Sequence, residues 1–191
     1  MSKKRIATVS LAGCFGCHMS LLDIDERLLD LMQVADIDRS PLTDLKVFSQ
    51  DCDIGLIEGG CCNEDNVEVL QEFRRRCEIL VSVGHCAVTG GLPAMRNAIM
   101  HAKEPLRECL ETAYGSSELV LNPENHVPND TALPLLLDKV YPCHEVVTID
   151  LQIPGCPPSA DTLYTTLFAL IEHGLSGVRD EALLHQGIRY D

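Results

Sequence analysis

The chain has 191 residues and a formal net charge of −14, so its surface repels nucleic-acid phosphates and anionic membranes, and neither is expected as a partner. Its length suits a single domain, spanning 1–191, and its core should be mainly aliphatic because aromatic residues make up only 4% of the sequence. Ten cysteines in a chain that is 46% hydrophobic argue against a small secreted disulfide scaffold, and they favour metal binding or thiol chemistry in the cytoplasm.

The N-terminus has two interpretations. Basic residues precede a short apolar run, and Leu11-Ala12-Gly13-Cys14 resembles a lipoprotein cleavage site. A secretory signal needs about 7–15 apolar residues, whereas this run is shorter and contains Thr8 and Ser10. A buried first strand over 5–11 explains the same residues better. A loop over 12–17 follows, and then a helix over 20–32 for which Ser20 is the candidate N-cap.

The rest of the chain alternates strands and helices. Strands are predicted over 34–37 (weakly), 52–58, 78–83 and 146–153, and helices over 63–77, 90–114 and 159–173, with 115–145 irregular. Asn63 or Asp65 is the candidate cap of the second helix, and Ser159 that of the last. This alternation predicts an α/β fold, a flavodoxin-like doubly wound parallel sheet in three layers. No stretch is long and apolar enough to span a bilayer.

Three loops carry cysteine directly after a predicted strand. They are Gly13-Cys14-Phe15-Gly16-Cys17, Gly84-His85-Cys86 and Pro154-Gly155-Cys156. Because the carboxyl ends of parallel strands meet at one edge of a sheet, these thiols should converge. Four thiolates suit a tetrahedral zinc ion or an iron–sulfur cube. Glycine lets the backbone approach inorganic sulfide, and proline stiffens the loops. Taken singly, the C-x-x-C pair also fits a redox dithiol or half a zinc knuckle, and each lone cysteine also fits an inert buried thiol.

The same segments resemble the small subunit of bidirectional NAD-linked nickel–iron hydrogenases. The resemblance covers about 5–173 and rests on three motifs: Leu11-Ala12-Gly13-Cys14-Phe15-Gly16-Cys17-His18-Met19-Ser20 with Asp23-Ile24-Asp25-Glu26, then Gly84-His85-Cys86-Ala87 with Gly90-Gly91, then His144-Glu145-Val146-Val147 with Pro154-Gly155-Cys156-Pro157-Pro158. It implies a flavodoxin-like fold and one [4Fe-4S] cluster on Cys14, Cys17, Cys86 and Cys156. The related complex I subunit has tandem cysteines in its first motif, whereas the tandem pair here, Cys61-Cys62, lies elsewhere.

The resemblance also implies an assembly. A hydrogenase large subunit would hold the nickel–iron site, and diaphorase subunits would hold flavin, further iron–sulfur clusters and the NAD site. This chain would pass electrons between them and contribute no catalytic residue. No cysteine follows Cys156, so one cluster is expected. The sequence does not support an FMN site here, although it leaves FMN open as an additional cofactor.

Several neighbouring residues keep two interpretations. Glu58 ends a strand at the cysteine edge, where it would either relay protons or approach iron during oxidation, or else bond to the N-terminus of the following helix. His18 and His85 would donate to cluster sulfur, or else face solvent or an interface. Cys61 and Cys62 are interpreted as non-ligating, and the four remaining thiols as core or surface residues: Cys52, Cys77, Cys109 and Cys143. The rival functions are another soluble nickel–iron hydrogenase, linked to a deazaflavin or disulfide partner, a flavin-binding module and a structural zinc protein.

Overall fold

The molecule is built around a parallel sheet, seen here in a computed structural model that describes residues 3–98 and 105–181. Its strands are β1 (Lys4–Ser10), β2 (Ala35–Ile37), β3 (Cys52–Glu58), β4 (Cys61–Asn63), β5 (Cys77–Val83), β6 (Leu136–Tyr141) and β7 (Leu151–Ile153). Five of them form the sheet in the order β2-β1-β3-β5-β7, all parallel, while β4 pairs antiparallel with β6. Counted along the chain, that order is 2-1-3-4-5, the flavodoxin-like arrangement. The predicted fold class is confirmed.

Helices cover both faces of the sheet. They are α1 (Gly16–Leu22), α2 (Leu28–Val34), α3 (Glu64–Arg76), α4 (Gly84–Thr89), α5 (Pro105–Leu110), α6 (Cys143–Val146) and α7 (Ala160–Glu181), with short 3-10 or π turns at Asp25–Arg27, Pro93–Ala98 and Glu111–Gly115. One apolar cluster joins the sheet to α1, α2 and α7, and a second joins it to α3 and α6. Within β3, Leu56 belongs to the first cluster and Ile57 to the second, as the alternation of strand side chains requires. Strands buried on both faces explain the apolar runs in the sequence.

Several predicted boundaries are confirmed. Strand 52–58 is β3, the strand expected over 5–11 is β1, shifted by one residue, and the strand expected over 78–83 is β5, which begins one residue earlier. Asn63 caps α3, since its side-chain oxygen accepts a hydrogen bond of 2.9 Å from the Asn66 N–H. Ser159 caps α7 in the same way, accepting from the Thr162 N–H at 3.2 Å. In each case the capping side chain accepts its hydrogen bond from the backbone N–H three residues later in the chain.

The helix predicted over 20–32 is wrong in its start and its continuity. It is two helices, α1 and α2, separated by a 3-10 turn, and α1 already begins at Gly16. Ser20 is therefore no N-cap. It lies buried inside α1 and donates a 2.5 Å hydrogen bond to the carbonyl of Pro158. A contact across 138 residues, rather than local capping, explains this serine.

The second half of the chain differs more from expectation. The irregular stretch predicted over 115–145 contains β6 and the start of α6. The strand predicted over 146–153 shortens to β7, since Val146 ends α6 and residues 147–150 are neither helix nor strand. The last helix runs on to Glu181 past a kink at Gly174, where φ is +62°. Of the helical stretch predicted over 90–114, residues 99–104 lie outside the described part of the chain. Within the described ranges, no helix has both the length and the apolar character needed to cross a membrane.

Candidate metal centre

Four neighbouring strands end level with one another. In register, Ser10 of β1 pairs with Glu58 of β3, Glu58 with Val83 of β5, and Val83 with Ile153 of β7. This row marks the carboxyl edge of the sheet. The segments that follow β1, β5 and β7 carry the predicted cysteines, with Cys17 in the first turn of α1 and Cys86 in α4. The edge includes the junction of β1 and β3, where strand order reverses and ligands of this fold class bind.

The four predicted thiols gather above this row. Cys14 and Cys156 are exposed, whereas Cys17 and Cys86 are partly buried. Burial, together with smaller contributions from negative charge on Glu58 and on the three other thiols, raises the pKa of Cys17 to about 12. Burial likewise raises the pKa of Cys86, with contributions from Cys14 and Cys156. The four groups therefore interact with one another. Cys17 and Cys86, whose pKa values are raised, resist ionisation unless a metal supplies positive charge, in which case binding releases protons.

Glycines make the room for these thiols. A Cβ added to Gly84 would lie 2.3 Å from Cys17 Sγ, and one added to Gly91 would lie 2.9 Å from Cys86 Sγ. Both positions have positive φ, at +82° and +48°, so L side chains are disfavoured there as well. The His85 N–H donates to the Gly155 carbonyl at 2.8 Å and ties the second cysteine loop to the third. Four thiols with backbone at close range are the donor set of an iron–sulfur cluster, and the residues fit that group.

Glu58 and His18 form a buried polar pair beneath the cysteines. His18 Nδ1 lies 2.5 Å from Glu58 Oε2, and His18 Nε2 lies 2.9 Å from Thr8 Oγ1. The Glu58 carboxylate also accepts from the backbone N–H groups of Cys17 at 3.3 Å and His18 at 3.1 Å. The bond expected to the N-terminus of the following helix is instead made to α1, which precedes Glu58 in the chain. The carboxylate thus anchors the segment that carries Cys17.

The two predicted histidines have different surroundings. His18 is 4% exposed, and both ring nitrogens already have partners, so this arrangement leaves neither free for a cluster sulfur. Its ring stacks on Phe15, with ring centroids 4.6 Å apart. His85 is exposed, and what it contributes to the site is its backbone N–H. Thr8, the partner of His18, was missed from the sequence, because it looks like an ordinary residue of a buried strand.

The other cysteines have different neighbours. Cys61 is fully buried against Cys143 in the second apolar cluster, and Cys62 donates to Asn66 Oδ1 at 3.3 Å. Cys52 and Cys77 contact each other at the opposite edge of the sheet, and Cys109 is exposed. Neither thiol–thiol pair was predicted. Among residues 3–98 and 105–181, no three His, Cys, Asp or Glu side chains are arranged to hold a single metal ion.

Comparison with known proteins places this site in a family. The family model described as NADH ubiquinone oxidoreductase, 20 kDa subunit, matches residues 14–170. The delta subunit of the NAD-reducing hydrogenase HoxS of Cupriavidus necator is 47% identical over 170 residues, covering 88% of this chain and 79% of that subunit. A subunit of the F420-non-reducing hydrogenase of Methanothermobacter marburgensis is 39% identical, covering 89% of this chain but 54% of its own length.

A solved structure extends the match to the whole chain. A chain in the crystal structure of an NAD+-reducing [NiFe]-hydrogenase in the H2-reduced state is 50% identical, with a TM-score of 0.86 and coverage of 100% of both chains. The resemblance predicted from the cysteine motifs is confirmed. On the family match across residues 14–170 and the identity to these subunits, the chain belongs to the family of the NADH ubiquinone oxidoreductase 20 kDa subunit, which it shares with hydrogenase subunits.

Proposed function

We propose that this chain is the electron-transfer subunit of a cytoplasmic hydrogen:NAD oxidoreductase and holds one [4Fe-4S] cluster on Cys14, Cys17, Cys86 and Cys156. The observation that carries the proposal is the 50% identity along the full chain to a subunit of an NAD+-reducing [NiFe]-hydrogenase, whose fold it shares. The gathering of four thiols at one sheet edge supports the ligand set. Such a cluster supplies one-electron redox chemistry. The chain would act as a single iron–sulfur domain.

The chain's own residues would hold and shield this group. Glu58 fixes the backbone of Cys17 through the N–H groups of α1, and Gly84 keeps the space beside the Cys17 thiol clear. The backbone link between His85 and Gly155 holds the loops of Cys86 and Cys156 together. A ligand cage supported in this way changes little in geometry between redox states, which suits electron transfer.

A partner subunit would cover the open side of the site. Cys14 and Cys156 are exposed, and apolar side chains are exposed close by in the chain: Met19 at 43%, Leu92 at 71% and Met95 at 65%. Exposed apolar side chains beside a functional site are typical of an interface. We assign this edge to the hydrogenase large subunit, which would hold the nickel–iron site. Diaphorase subunits carrying flavin, iron–sulfur clusters and the NAD site would exchange electrons with this chain.

The main alternative is a different electron acceptor. The 39% identity to an F420-non-reducing hydrogenase subunit favours a nickel–iron hydrogenase that does not use NAD. The higher identity to the NAD-reducing enzymes, 47% and 50%, supports the NAD-linked assignment.

Two experiments test the proposal: anaerobic reconstitution of this chain by itself tests the cluster, and anaerobic purification of the native complex tests the assembly. About four irons and four sulfides per reconstituted chain are expected, with the brown absorbance of iron–sulfur protein. Yellow flavin absorbance alone, or zinc without sulfide, would reject the cluster. The complex should contain a large subunit and diaphorase subunits, and it should couple hydrogen oxidation to NAD+ reduction. Reduction of a disulfide or a deazaflavin in place of NAD+ would support the alternative.

A further inference from the structure

A pair of cysteines lies at the amino edge of the sheet, the edge opposite the candidate metal centre. Cys52 is the first residue of β3 and Cys77 the first residue of β5, and the two are paired in register. Both belong to the apolar cluster on the α3 face. Cys77 leans toward β3, since a Cβ added to Gly55 would lie 2.8 Å from Cys77 Sγ. Their in-register positions on neighbouring strands place the two residues side by side.

The pairing is compatible with a covalent bond between the sulfurs. Neighbouring strands lie about 4.7–4.9 Å apart, within the Cα–Cα range of about 4.4–6.8 Å that disulfides accept. Both residues stand at strand beginnings, where the chain adjusts more easily than in the middle of a sheet. An open surface pocket of about 410 Å³ is lined by both cysteines and by charged residues of both signs: Asp51, Asp53, Glu78, Arg75 and Arg76. Although each cysteine is buried overall, a small molecule in this pocket would meet both.

We propose that Cys52 and Cys77 are a dithiol–disulfide couple that exchanges with a small organic disulfide. The Cys52 thiolate attacks one sulfur of the small disulfide, forming a mixed disulfide and releasing one thiolate, which takes up a proton. The Cys77 thiolate then attacks the Cys52 sulfur, closing the intramolecular disulfide and releasing the second small thiol. Two protein thiols are oxidised to one disulfide, and one small disulfide is reduced to two thiols.

The surroundings assign the order of attack. Cys52 Sγ lies beside a polar group at the start of β3, 3.9 Å from the Gln50 carbonyl, whereas Cys77 Sγ packs over Gly55 within the sheet. The first attack, in which a thiolate is the nucleophile, is therefore assigned to Cys52. Cys61 and Cys143 offer a matched comparison within the same chain. They also contact each other, but each is 0% exposed.

Peptide mapping of the anaerobic holoprotein tests the proposal. The protein is incubated with glutathione disulfide, alkylated, unfolded and alkylated again with a second label. We expect a linked peptide pair containing Cys52 and Cys77, lost on treatment with dithiothreitol, while Cys61 and Cys143 take only the second label. Recovery of Cys52 and Cys77 as free thiols, or as two separate glutathione adducts, would overturn the proposal. Linkage of Cys61 to Cys143 to the same extent would overturn the role of the pocket.

A variant identifies the intermediate. Cys77→Ser removes the resolving thiol, so a glutathione adduct should accumulate on Cys52 and exceed any adduct on that residue in the parent protein by at least about tenfold. A Cys77→Ser protein that folds and acquires no adduct on Cys52 would contradict the assigned order. Should this variant fail to fold, the linked peptide in the parent protein still decides whether the disulfide forms.

Discussion

Replacing Gly84 by alanine is a direct test of the cysteine cage. The added Cβ would lie 2.3 Å from Cys17 Sγ, whereas non-bonded heavy atoms prefer about 3.5–4.0 Å. The difference exceeds 1 Å, and the Cys17 backbone is held by Glu58, so the thiol itself must move. Metal–ligand distances tolerate deviations of only about 0.2 Å. Gly84→Ala should therefore lose most of its bound iron.

The substitution also has a backbone cost, which needs its own control. Alanine at a φ of +82° costs about 1–2 kcal/mol, which alone lowers the folded-to-unfolded ratio about 5- to 30-fold. Gly174 has a φ of +62° and nothing within 4 Å of an added Cβ. Gly174→Ala thus carries a backbone cost, on the order of 1–3 kcal/mol, without any contact with a thiol.

The assay compares iron and sulfide per chain, visible absorbance and urea unfolding for the two variants. Both should unfold at lower urea concentration than the parent protein, but only Gly84→Ala should lose iron and absorbance. Equal iron content in the two variants would refute the reasoning, because it would mean that the space beside Cys17 does not matter for the cluster.

Four other expectations concern the same site and its support. Cys86→Ser should lose iron and electron transfer, while Cys109→Ser should keep both, and equal behaviour would reject the ligand assignment. Glu58→Gln should keep its iron but raise the reduction potential of the cluster, because a negative charge near the cluster is removed. The control is Glu78→Gln, which changes an exposed residue and should leave the potential unchanged. An unchanged potential in Glu58→Gln as well would mean that the Glu58 carboxylate is purely structural. Burial raises the pKa of Asp38, but hydrogen bonds from Ser49 and Arg5 outweigh it and leave that pKa lowered. The stabilisation from the Asp38 carboxylate is therefore present above the unfolded pKa of about 3.9 and is lost as pH falls through the lower native value. Asp38→Asn should lower the free energy of unfolding, measured with urea at neutral pH, by about 1–3 kcal/mol. A stability difference between Asp38→Asn and the parent protein that persisted undiminished in strong acid would contradict this. Finally, hydrogen exchange in the three cysteine loops should be slower in the complex than in the isolated chain, and unchanged protection would count against the assembly.

Much of the fold could be predicted because its signals are local. The apolar run of β3 ends at Gly59, and the cap of α3 is a side-chain oxygen three residues from its donor. The cysteine loops follow their strands directly, so parallel topology alone places them at one edge. The irregularity predicted over 115–145 failed because β6 forms by pairing with β4, more than 70 residues earlier in the chain, and its residues give little local signal of their own.

The fold class, the three cysteine segments and the likeness to hydrogenase subunits could all be predicted from the sequence, since each depends on short motifs and periodicity. How those elements meet is a property of the folded molecule. The fold aligns Ser10, Glu58, Val83 and Ile153 in one row, pairs Glu58 with His18, and brings Cys52 against Cys77. These contacts join residues 25 or more positions apart, and their formation depends on strand register and packing. Neither is encoded by any single stretch of the chain, because each is fixed only when the whole sheet and its covering helices come together.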